Sequence, residues 1–157
     1  MEPEDRRFLL TIRGIVLVSA FLGLVLGYVL FYGIYPMLSF PATPDPSLGA
    51  IVLALAVAAL LGGLATEELK FLIAEVFVSL FVGGGVATAM LLTPSLTGTV
   101  LTSAADIPFY VLQIGFPFLL LGLLMNFVFG LIGLAVRESV LLRYRRFEPP
   151  SWAANRK

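Results

Sequence analysis

The chain has 157 residues, of which 59% are hydrophobic and 13% charged, and its ten basic and ten acidic side chains balance to zero. A soluble domain is about 45–50% apolar and about 25% charged, so lipid is the solvent this composition implies. Cys and His are both absent, which excludes disulfides, thiol redox chemistry, zinc held by Cys or His, haem held by an axial His, and the commonest general base. The expected class is an all-α integral membrane protein. It has four transmembrane helices in a single domain over residues 1–157, with no cofactor and no metal.

The first apolar stretch covers residues 8–32. Arg6 and Arg7 precede it as the n-region of a signal peptide would. The apolar run from Gly14 to Tyr32 nevertheless exceeds the 7–15 residues of an h-region, and no small-residue cleavage site follows. An uncleaved first span is therefore expected. Gly33, Pro36, Pro41, Pro44 and Pro46 then predict a helix-free loop over 33–47. Phe31, Tyr32 and Tyr35 stand where an aromatic belt belongs.

The second stretch, 48–65, is just long enough for the hydrocarbon core at 1.5 Å per residue. Gly62, Gly63, Thr66, Glu67 and Glu68 predict a tight turn. Thr66 is the expected N-cap of the third span, with the two acids in its first turn. Spans two and three are thus read as an antiparallel hairpin. Span three covers 71–92 and is expected to stop near Thr93 and Pro94. Asp106 and Pro108 open span four, 107–136, which Pro117 is expected to kink. The helix then continues toward Pro149 and Pro150 as part of a basic tail, 137–157.

Every Lys and Arg falls at one of three places: Arg6, Arg7 and Arg13; Lys70; and Arg137, Arg143, Arg145, Arg146, Arg156 and Lys157. All three lie on one side of a four-span layout, so the positive-inside rule puts both termini in the cytoplasm. The cytoplasmic membrane is the expected location, with the protein multi-pass within it. Arg137, Arg143, Arg145 and Arg146 read as lipid anchors with affinity for anionic headgroups.

Few residues within the spans carry chemistry. Glu75 is an acid inside span three, and an ionisable group in lipid is a functional candidate by default. The bland reading pairs it with Arg13 or Arg137. Glu75, Ser79, Gly83 and Ala87 recur at i+4 and share one helix face. Asn126 lies on a glycine seam of span four with Gly115, Gly122, Gly130 and Gly133. Small residues repeat in the same way at Ser19, Gly23 and Gly27 and at Ala54, Ala58 and Gly62. Such seams let helix backbones approach closely. Gly83, Gly84 and Gly85 strip one turn of span three, and crowding by neighbours from two sides is expected there.

No Walker, Rossmann, HExxH or GxSxG pattern is present, so no enzyme is expected. Nucleic-acid binding has no support, because no basic stripe is interleaved with aromatics outside the tail. The leading expectation is a non-catalytic accessory, assembly or scaffold subunit of a membrane complex, or a self-oligomer. The alternative is a small proton- or cation-coupled transporter or channel using Glu75.

Overall fold

A computed structural model describes residues 3–39, 47–98 and 103–147, with side chains described for 12–39, 47–98 and 103–141. The described residues form five helices: α1 (Pro3–Leu38), α2 (Leu48–Ala65), α3 (Leu69–Leu96), α4 (Ile107–Gln113) and α5 (Phe116–Phe147). All of these except α4 contain a stretch long and apolar enough to cross a membrane: Ile12–Leu38, Leu48–Ala65, Leu69–Leu96 and Phe116–Leu141. The described residues are helical, and four of their helices are long and apolar enough to span a membrane.

The helices reach further than their sequence suggests. α1 does not stop at Tyr32 but runs to Leu38 with Pro36 inside it. A proline in the last turn forfeits one backbone bond, and here packing offsets the loss. Gly33 sits against the Phe118 ring, and Ile34 is fully buried. α3 likewise passes Thr93 and Pro94 to end at Leu96. The expected loop over 33–47 is therefore shorter at its start, and Pro41, Pro44 and Pro46 lie outside the described residues.

Span four is broken rather than kinked. α4 ends at Gln113, Ile114 and Gly115 turn, and α5 begins at Phe116. A proline ring collides with the carbonyl four residues earlier, and for Pro117 that carbonyl belongs to Gln113, where α4 ends. Ile114 N–H bonds to Tyr110 O and Leu119 N–H to Gly115 O, so the ladder closes on both sides of the break. Asp106 stands at the N-cap of α4 with Pro108 behind it, although its side chain makes no capping bond.

α2 and α3 follow one another through the short connection 66–68, but they do not pack along each other as the expected hairpin would. α1 lies along α3, and α2 lies along α5; α1 with α2 and α3 with α5 touch less, and α2 with α3 barely touch. Around the bundle the order is α1, α3, α5, α2, which puts α2 and α3 on a diagonal. Close approach at glycine explains the pairing. A Cβ at Gly27 would come within 2.6 Å of Val86, and Gly23 faces Val82 and Gly83. As residue numbers rise together on both helices, α1 and α3 run parallel. On the other pair, the Gly63 α-carbon abuts the Gly130 carbonyl, and Gly133 abuts the backbone of Leu60, Gly63 and Leu64.

The bundle interior has two unlike halves. At the end away from the α2–α3 turn, the core is apolar: Leu26, Val29, Leu30 and Ile34 of α1 meet Ile51 and Leu55 of α2, Ala87 and Leu91 of α3, and Ile107 and Val111 of α4. At the end near the turn, buried polar side chains, Ser19, Thr66, Glu75, Ser79 and Asn126, stand among buried apolar ones such as Leu22, Leu72 and Val76.

Candidate functional site

Glu75 is 2% exposed, held inside by the face that Glu75, Ser79, Gly83 and Ala87 share, all of them buried. Neither expected cation reaches it. Arg13 lies exposed on α1. Arg137 donates from Nη1 to Thr66 O at 2.6 Å and lies 3.5 Å from Glu67 Oε1. Arg137, read as a lipid anchor, is thus tied into the α2–α3 turn. Lys70 pairs with Glu68 at 2.6 Å on the exposed side. Among the described residues Glu75 forms no ion pair.

Its partner is Thr66. The Thr66 hydroxyl lies 2.5 Å from Glu75 Oε2 and 2.9 Å from Gly62 O. Thr66 is therefore not the N-cap of α3; that position is Glu68, with no side-chain capping bond. Thr66 closes α2 instead, its own N–H bonding to Gly62 O. Gly62 and Gly63, read as turn residues, are buried inside α2. The last carbonyls of one helix lack partners as surely as the first N–H groups of the next, and Thr66 serves the former.

One turn along α3, the Ser79 hydroxyl donates to Val76 O at 2.7 Å and receives Asn126 Nδ2 at 3.3 Å. Asn126 sits on the buried arc that also holds Gly115, Gly122, Gly130 and Gly133. Those glycines admit Leu26 at Gly122 and Leu72 at Gly130, where an added Cβ would come within 2.8 Å of the Leu72 side chain. Gly83 meets Leu26 in the same way at 2.9 Å.

Ser19 completes the group and was read from sequence only as a small residue. It is 1% exposed, and its hydroxyl is the buried side-chain polar atom among the described residues that has no hydrogen-bond partner. It lies one turn before Gly23, which faces Val82 and Gly83. In two parallel helices one turn back from that contact is the level of Ser79.

Some expected residues stand apart. Gly84 and Gly85 have nothing within 4 Å of an added Cβ, so the glycine triplet is crowded only at Gly83. Ala54 is exposed, whereas Ala58 and Gly62 are buried. Arg143, Arg145 and Arg146 lie on α5, beyond the residues with described side chains. No group of three or more His, Cys, Asp or Glu able to hold a metal ion occurs among the described residues.

The described residues thus form a helical bundle with four helices long and apolar enough to span a membrane and a cluster of buried polar side chains at one end. The chain matches no family model, no curated protein and no solved structure.

Proposed function

We propose that the chain is a non-catalytic multi-pass subunit of a membrane assembly, or a self-oligomer, with both termini in the cytoplasm. The observation that carries this reading is the dry half of the bundle. Ten apolar side chains from four helices fill it, and every buried polar residue described lies at the other end. A path for ions or polar solutes needs polar groups or water along its length, and here it would stop halfway. The glycine seams supply the close packing such a small bundle needs, and Gly84 and Gly85 leave a bare strip of helix with no neighbour against it. The test is native mass spectrometry after mild extraction from cells expressing the chain at natural levels. A stoichiometric membrane partner or a discrete homo-oligomer is the expected result. A monomer that moves ions in proteoliposomes would overturn the reading.

The second reading, a proton- or cation-coupled carrier, has one observation in its favour: Glu75 is buried with a hydroxyl for partner instead of a cation. Flux in proteoliposomes that vanishes in Glu75→Gln, followed with an enclosed pH-sensitive dye, would establish it.

A further inference from the structure

α2 and α3 stand on the diagonal of the bundle and barely touch, yet one chain of polar contacts crosses between them. Thr66 Oγ1, where α2 ends, has two oxygens within reach: Gly62 O on α2 and Glu75 Oε2 on α3. A hydroxyl has one proton to donate, and a proton shared between two acceptors points straight at neither. Both contacts become full hydrogen bonds when the Glu75 carboxyl carries a proton of its own. Glu75 then donates to Thr66, and Thr66 donates to Gly62 O. An ionised Glu75 would instead take the Thr66 proton away from Gly62 O. It would also stand charged where both side chains are 2% exposed and no cation pairs with it among the described residues. A buried charge without a counter-charge is strongly disfavoured.

We propose that Glu75 and Thr66 form a proton-operated latch: the neutral acid ties α3 to the end of α2, and loss of its proton loosens that end of the bundle. The step balances. Glu75 gives one proton to water and becomes a carboxylate, and Thr66 turns its O–H from Gly62 O to that carboxylate. One bond from a hydroxyl does not offset the removal of the charge from water, so the carboxylate favours an arrangement in which water reaches it. Water is close by, because Thr66 is the last buried residue before Glu67 and Glu68, which are exposed. With few other contacts joining α2 and α3, little else holds the diagonal together there.

The other charged groups at this end are engaged elsewhere or exposed. On α5, Arg137 is held by Thr66 O and Glu67, and Glu138 is exposed. Beside the turn, Lys70 pairs with Glu68. On α1, Arg13 is exposed, and the charged residues before it lie outside the described side chains. α2 holds no charged residue. The latch stands apart from both functional readings above, since it needs neither a partner nor flux.

The experiment uses the full chain in lipid nanodiscs and makes two measurements along a pH series. The first is the infrared band of a protonated carboxyl, assigned to Glu75 by its absence in Glu75→Gln. The second is hydrogen exchange at the Thr66 amide, whose N–H bonds to Gly62 O and whose exchange reports local opening. Glu75→Gln keeps an uncharged donor toward Thr66 and stands for the latched state at every pH. Dividing the wild-type rate by that of the variant at the same pH removes the chemical effect of pH on exchange. The ratio is expected near one while the band is present, and about tenfold higher once the band is gone, the scale of one net hydrogen bond. Should Glu75→Gln fail to fold, Thr66→Ser and Thr66→Val supply the comparison: the first should keep the rise with pH and the second should lack it. No protonated band in the folded protein at any pH, or a band that never yields to base, would overturn the latch. So would a band that disappears while the ratio stays at one.

Discussion

Thr66 joins three helices with one side chain and one carbonyl. Its hydroxyl reaches Gly62 O on α2 and Glu75 on α3, and its carbonyl receives Arg137 from α5. Thr66→Val keeps the shape and removes the hydroxyl, leaving Glu75 buried without that partner. A loss of about 1–3 kcal/mol is expected, and Thr66→Ser should recover most of it. Unfolding equilibria in mixed micelles would measure both; a Val variant as stable as the wild type would show that the hydroxyl is idle. Glu75 and Asn126 were legible in the sequence, because a polar residue in an apolar run is conspicuous whatever surrounds it. Thr66 and Ser19 were not. A Thr before two Glu satisfies the pattern of an N-cap, and a Ser before two spaced Gly satisfies that of a packing seam. What each does depends on which helices stand beside it, and local spacing carries no record of that.

At the level of helices, glycine has two opposite uses here. Gly63 lies with its α-carbon against the Gly130 carbonyl, whereas Gly85 faces open space. Gly63→Ala must push two backbones apart, and overpacking of this kind costs about 1–3 kcal/mol. Gly85→Ala meets nothing and gains up to about 1 kcal/mol from helix propensity. Gly122→Leu should follow Gly63→Ala, since Leu26 already fills that place, and Leu120→Phe on an exposed position should be mild. Thermal scans of the four variants in one detergent check the order; similar unfolding temperatures for Gly63→Ala and Gly85→Ala would refute it. Helix existence was readable from apolar run length, and α2 was placed to the residue. Helix ends are less so, because a proline in the sequence reads as a stop wherever in a turn it falls. Pro36 and Pro94 sit in final turns, where one missing bond is tolerable, whereas Pro117 falls inside a run and breaks it.

For the whole molecule, the positive-inside reading places the α2–α3 turn in the cytoplasm and the segments before α2 and α4 outside. Cysteines at Ser47 and Ser103 should react with an impermeant thiol reagent on intact cells. A cysteine at Glu67, whose side chain is 68% exposed, should react only after permeabilisation. Labelling of all three in sealed cells would end this topology. The order α1, α3, α5, α2 around the bundle has a consequence for how the protein is made. A ribosome releases α1 and α2 first, yet each finds its close companion only in the second half of the chain. Until α3 emerges, the bare strip at Gly23 and Gly27 has no Val82 or Val86 to receive it. Biogenesis therefore cannot proceed hairpin by hairpin. The early half must wait in the bilayer, unlocked, for the late half to clasp it, and a message truncated after α2 would yield a product for the cell's quality-control proteases rather than a half-built bundle.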